Sequence, residues 1–299
     1  MDWWPSGHYR SIRVTPTSES FFWILKVAAA SFAGGIIGAI SGLGGGIVIV
    51  PVLTIFLHMK IEQAVAASIV SVIAVSSASG SVYVKDRITN IRIAMFLELS
   101  TAAGALLGAA VISRHVNEHA LYILFGLLLL LSLVPIFGRL GEELPQNVSN
   151  DHLSTLLRLS GKYYDKKLAR EVEYNVTGIP PALGIMFIAG IISGVLGIGA
   201  GVVKVLAHEI AMKVPTKVST ATSNFMIGVT AAAAAGVYLR RGLVLPFLVV
   251  PVATAVVAGA LLGTVLMENM SNALIRKFFA LVLAVVGIQM LLRGLGVGF

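Results

Sequence analysis

The chain alternates long apolar blocks with short polar joints. In its first half the blocks cover 21–41, 47–57, 63–84, 92–113 and 119–137; in its second they cover 179–197, 202–212, 218–239, 243–266 and 273–295. Four blocks of each set hold about 20 residues, the length a helix needs to cross a hydrocarbon layer of roughly 30 Å. The remaining block of each set, 47–57 or 202–212, would extend about 16 Å as a helix and reach only halfway. Both are entered through glycines and read as half-helices or re-entrant segments, which membranes tolerate where they line a cavity or lie buried in protein. The pattern predicts an all-α polytopic membrane protein of two homologous repeats, each with about four full transmembrane helices and one glycine-broken half-helix.

The two halves read as the same text displaced by 155 positions. Gly35-Ile36-Ile37 returns as Gly190-Ile191-Ile192, and Gly42-Leu43-Gly44-Gly45-Gly46 as Gly197-Ile198-Gly199-Ala200-Gly201. Ser68 falls on Ser223, Tyr83 on Tyr238, and Ala103–Gly108 on Ala258–Gly263. Related membrane halves that each contain a broken helix are a signature of secondary transporters. The expected divisions are a polar segment over 1–20, a first transmembrane repeat over 21–137, a linker over 138–178 and a second repeat over 179–299. The linker carries Arg158, Lys162, Lys166, Lys167 and Arg170. Helical spacing with a basic face over 153–172 predicts an amphipathic surface helix there, within a solvated cytoplasmic joint.

Basic clusters at Arg10/Arg13/Lys26, Lys85/Arg87/Arg92, 158–170 and Arg240/Arg241 all fall on one side if the short blocks do not cross. That arrangement has eight spans and parallel repeats, and the positive-inside bias favours it. If the short blocks do cross, each half makes five passes and the repeats are inverted.

Composition narrows the class further. Apolar residues make up 57% of the chain and charged ones 12%, with a mean hydropathy of +0.91, which no soluble core of this size requires. The net charge of +8 is not a nucleic-acid signal, because the Lys and Arg residues flank apolar blocks where anionic headgroups account for them. The absence of cysteine excludes disulfides, thiolate metal sites and a cysteine nucleophile. No apolar run precedes the first block, so no cleaved signal peptide is expected.

The chemistry concentrates where the glycines are. Gly44, Gly45, Gly46 and Gly199, Gly201 precede short helices whose first turns present unpaired N–H groups and the positive dipole end. Together they would form an oxyanion cradle that needs no charged side chain; tight helix packing through small residues is the plainer use of such strings. Lys204 stands third in the second short block, with His208 one turn on, and both face one side of a helix. An ionisable group at this depth marks a substrate or proton path, unless it snorkels to an interface. The first half has Ile49 and Leu53 at the matching positions, so one half alone supplies the cation. Glu98, alone in the middle of its span, is either a proton-coupling carboxylate, a partner for Lys204 or a packed neutral acid. Ser68, Ser71, Thr222, Ser223 and Asn224 follow the short blocks and could complete an anion's shell, although membrane Ser and Thr commonly bond their own helix carbonyls.

Enzyme signatures are missing: His208-Glu209-Ile210-Ala211-Met212 is not a zinc-protease motif, and no nucleophile elbow or Walker string occurs. Neither a metal nor a cofactor is expected. The residues just described resemble the TauE/SafE family of bacterial and archaeal permeases for sulfite and organosulfur anions. The resemblance rests on Gly42–Gly46 followed by Val50-Pro51 and Ala64–Ser68, on Gly197–Gly201 with Lys204-Val205, and on the run Ala221–Thr230. Ala200 in place of the middle glycine and Leu206 in place of proline depart from the pattern, so the two half-sites need not be equivalent. The resemblance implies a plasma-membrane anion transporter, with sulfite or an organosulfonate such as sulfoacetate as the expected substrate and export as the expected direction. A transporter of another small anion or a cation, and a non-transporting accessory subunit, are the alternatives. Small-residue faces such as Ala103–Gly108 could pack between the protomers of a homodimer or between the repeats.

Overall fold

A computed structural model describes residues 18–41, 44–56, 59–131, 133, 145, 148–166, 168–269 and 272–297. Most of the N-terminal segment, Gly42 and Leu43 of the first glycine string, and the linker over 138–144 lie outside the described residues. The first half contains α1 (Ser18–Ser41), α2 (Gly46–Pro51), α3 (Ile61–Lys85), α4 (Ile91–Ala110) and α5 (Glu118–Leu131). The linker holds α6 (His152–Leu156) and a hairpin of β1 (Gly161–Asp165) and β2 (Arg170–Tyr174). The second half contains α7 (Ile179–Leu196), α8 (Gly201–Leu206), α9 (Thr216–Arg240), α10 (Pro246–Asn269) and α11 (Asn272–Gly294). The protein is an all-α polytopic membrane protein apart from that hairpin. Among the described residues α3, α4, α7, α9 and α10 are long and apolar enough to cross a membrane.

The short helices continue as π-helical turns, Val52–Phe56 after α2 and Ala207–Ala211 after α8. Pro51 interrupts the first ladder by lacking an N–H. Leu206 stands at the matching place in the second, so proline is not what widens these turns.

Helices pair across the halves: α1 with α10, α4 with α7, α3 with α9, and α5 with α11. Gly35 rests on Val256 and Ala260, and Gly190 on Thr101 and Ala105. Gly259 rests on Phe32 and Ile36, and Gly104 on Phe187 and Ile191. Each contact is its counterpart moved by 155 positions. A Cβ at any of these four glycines would collide with a backbone carbonyl, so the helices approach as closely as small residues permit.

The directions of these pairs decide the topology. Ser76 of α3 accepts from the Gly228 amide, Gly80 lies on Phe225, and the Asn90 amide just beyond α3 donates to the Thr222 hydroxyl. As α3 advances its neighbours on α9 recede, so the two run antiparallel although they occupy corresponding places in the halves. The charge tally that favours eight spans and parallel halves is therefore corrected. It weighed every cluster alike, whereas some cations serve local structure. Arg241 donates to the Ser113 hydroxyl at 2.9 Å and stacks on Tyr238, and Arg293 donates to the Thr54 carbonyl at 2.6 Å over Tyr122.

The linker also departs from expectation. In place of an amphipathic helix over 153–172 there is one helical turn and then the hairpin. Alternation prevails: Tyr163, Asp165 and Val172 face inward while Lys162, Tyr164, Glu171 and Glu173 face water. Leu159, Tyr163, Val172 and Val176 pack with Tyr83, Ile88, Met212 and Val218. Buried Asp165 pairs with Lys217 at 2.9 Å, and Asn90 donates to the Leu159 carbonyl and the Tyr174 hydroxyl. The linker is thus a cap packed on one end of the bundle, hereafter the hairpin end, and not a solvated joint.

Candidate functional site

The two glycine turns meet at the centre of the bundle. Gly44 (φ +75°) and Gly199 (φ +70°) take left-handed conformations, and both rest on Val72 of α3 and Ile227 of α9. Gly46 lies directly against Ile198 of the other turn. Ala200 is left-handed at φ +48° despite its Cβ, whereas Gly45 at the matching position has φ −62°. The glycine-to-alanine departure therefore coincides with a real difference between the turns.

Residues 44–46 and 193–202 are all buried. Ser68 sits against Gly46 and donates to the Gly197 carbonyl at 2.8 Å, and Ser223 donates to the Gly201 carbonyl at 3.4 Å. Ser71 bonds back to the Ser68 carbonyl, and Thr222 turns toward the Asn90 amide at the hairpin end. Of the shell expected around an anion, Ser68 and Ser223 lie at the turns while Ser71 and Thr222 point elsewhere; in this conformation all four hydroxyls are engaged with protein and the two turns close on each other.

One charged cluster adjoins them. Lys204 is 0% exposed, and its Nζ lies 3.4 Å from Glu98 Oε2. The same ammonium donates to the Thr230 hydroxyl, which in turn donates to Glu98 Oε1. Of the readings open for Glu98, the partner of Lys204 is the one this geometry realises. Elements α4, α8 and α9 supply one group each, and the long lysine side chain spans the gap between helices. Thr230 was missing from the expected site. Its seven-residue spacing from Ser223 places both on one face of α9, and that was the available signal.

His208, one turn beyond Lys204, is also fully buried, with neither ring nitrogen hydrogen-bonded. Asn224 donates to the Ala39 carbonyl at 2.9 Å while its amide oxygen has no partner. Buried polar atoms left in this way are uncommon and call for a reason. No set of three metal-ligating side chains occurs among the described residues.

A cleft of about 670 Å³ opens between α3 and α9, lined in part by Ser76, Ser77, Gly80, Ser81, Phe225 and Gly228. Its floor at Ser76 and Gly228 lies within one helical turn of Val72 and Ile227, which carry the glycine turns. Elsewhere the outer faces present large side chains such as Met95, Leu99, Leu281 and Ile288, as lipid contact requires. The small and hydroxyl-bearing walls of this cleft set it apart from those faces.

Residues 27–290 match the family model described as sulfite exporter TauE/SafE. The chain is also similar to the probable membrane transporter protein YunE of Bacillus subtilis (strain 168), being 24% identical over 268 residues that cover 87% of this chain and 94% of that protein. No solved structure matches it.

Proposed function

The chain belongs to the TauE/SafE family and is a multi-pass membrane transporter; from that premise we propose that it moves a small oxyanion, sulfite or an organosulfonate such as sulfoacetate, out of the cell. The observation that carries this reading is Lys204. Among the described residues it is the ammonium with no exposure at all, and it belongs to α8, one of the two short helices whose glycine turns meet at the centre. An anion is the guest such a place attracts.

In this reading the two halves are inverted repeats that exchange access by moving against each other about the paired glycine turns. The conformation described is the closed one, and the cleft between α3 and α9 is the vestibule toward the turns. Opening would separate Gly46 from Ile198 and release the hydroxyls of Ser68 and Ser223 toward the guest, with Ser71, Thr222 and Asn224 behind them. The hairpin end is cytoplasmic: Lys85, Arg87, Arg92, Arg158, Lys162, Lys166 and Arg170 gather there, as the positive-inside bias requires.

The test is a thermal-shift panel of sulfite, sulfate, sulfoacetate, taurine and small carboxylates on purified protein. Sulfite or sulfoacetate should raise the unfolding midpoint of the wild type, and Lys204→Gln should stay folded but lose that response. An undiminished response in the variant would remove Lys204 from the site.

A further inference from the structure

We infer that Glu98 and the transported anion compete for the same ammonium, so that entry of a monovalent anion is tied to uptake of one proton by Glu98. This rests on the anion reading and adds to it a coupling ion. The argument begins from charge conservation in a place without water. With Lys204 charged, the closed state holds one cation and one carboxylate, net neutral, bridged by Thr230. Adding an anion to that pair would leave a net negative charge in a low-dielectric interior, which is strongly unfavourable. If Glu98 takes a proton from water as the anion arrives, its carboxyl becomes neutral and the anion becomes the counter-charge of Lys204. Each state is then neutral, and the O–H formed on Glu98 is matched by the one broken in the aqueous acid that gives up the proton.

The surroundings leave few other groups for this exchange. Helix α7, packed on α4, contains no titratable side chain. On α4 itself the other charge is Arg92, which donates to the Arg158 carbonyl at the hairpin end. On α9, Lys217 is paired with Asp165, the Tyr238 hydroxyl donates to the Gly194 carbonyl, and Arg240 ends the helix. Helix α8 and its π-helical turn add His208 and Glu209 to Lys204. Thr230 can serve both states, because its hydroxyl accepts from Lys204 and donates to whichever oxygen anion stands opposite.

The experiment uses the full chain in two settings. In detergent, binding of isethionate, a sulfonate that stays monovalent near neutral pH, is measured by calorimetry in buffers of different ionisation enthalpy, which counts protons directly. Wild type should take up about one proton per anion, and its affinity should rise about tenfold per unit fall in pH while Glu98 is ionised in the resting state. Glu98→Gln should bind at least tenfold more tightly, take up no proton and lose the pH dependence. In liposomes, an isethionate gradient should move protons through the wild type, while Glu98→Gln should support isethionate exchange without moving them. If Glu98→Gln does not fold, the wild-type proton count decides alone. Wild-type binding without proton uptake would overturn the coupling and leave anion transport standing. Failure of isethionate, sulfite and sulfoacetate alike to bind or move in the wild type would overturn both readings.

Discussion

The two short helices occupy corresponding places yet differ in what they bring to the centre. Helix α2 offers Ile49 and Leu53 where α8 offers Lys204 and His208. The difference extends beyond the short helices, since the positions matching Glu98 and Thr230 are Ala253 and Val75. A polar triad thus occupies one of two symmetry-related places, drawn from α4, α8 and α9, and three apolar residues occupy its counterpart on α10, α2 and α3. What the halves share is backbone: left-handed glycines at 44 and 199, a π-helical turn after each short helix, and glycine contacts that repeat at the same offset. The lesson is a division of labour in which the scaffold is duplicated while charge is placed once. Two buried cations facing one small anion would leave the empty site with a net charge that a dry interior cannot hold.

Transplanting the apolar set into the charged place gives the largest expected effect. Lys204→Ile alone should abolish transport and, by leaving Glu98 without its partner, lower stability by about 3–5 kcal/mol. Adding Glu98→Ala and Thr230→Val should restore wild-type stability or exceed it while transport stays absent. Denaturant unfolding in detergent together with liposome flux checks both arms. A triple variant as unstable as the single one would show that the triad holds the fold together, contrary to the comparison.

The duplicated scaffold is sharpened by paired glycine substitutions. Gly104→Val and Gly259→Val each drive a side chain into a carbonyl of the partner helix, and each should cost at least about 1–3 kcal/mol as overpacking does. If the halves are mechanically equivalent, the two losses should agree within about 1 kcal/mol; a much larger gap would mean that one helix pair carries the fold.

A smaller effect separates the turns themselves. Ala200→Gly should raise stability by about 1 kcal/mol, because a left-handed alanine is strained by roughly that amount. The same alanine placed at Gly199 should lower it, and thermal unfolding in detergent reads both.

The smallest effect concerns the cap. Burial pushes the Tyr174 hydroxyl up to about 12, with the hydrogen bond from Asn90 opposing it. The folded state therefore holds this proton after the unfolded chain would lose it, so stability from the docked hairpin is complete below about pH 10 and declines as pH rises from there toward 12. Limited proteolysis within 148–176 should accelerate over that range in wild type and show no such step in Tyr174→Phe.

Much of this was legible from residue order. The apolar blocks foretold the helices to within a few residues, because hydrocarbon thickness sets both their length and their composition. Glu98 and Lys204 invited pairing because each lies inside an apolar segment, where an ionised group needs a partner. Thr230 went unrecognised because a lone hydroxyl in a span usually bonds its own helix, and this one does so as well, to the Met226 carbonyl. The linker misled because its basic residues happen to fall at helical spacing, whereas the deciding contact, Asp165 with Lys217, joins residues far apart in sequence. Closure of the turns was invisible for a related reason: glycine spacing says that two backbones can approach, and only geometry says that Gly46 and Ile198 already touch.

The most direct test of the charge placed once is an infrared difference spectrum of the purified protein on adding isethionate, a sulfonate with no carboxyl group of its own. The account predicts that a carboxylate band is replaced by the carbonyl stretch of a protonated carboxyl, and that the change vanishes in Glu98→Gln. Isethionate bound to the wild type with every carboxylate band unmoved would contradict it.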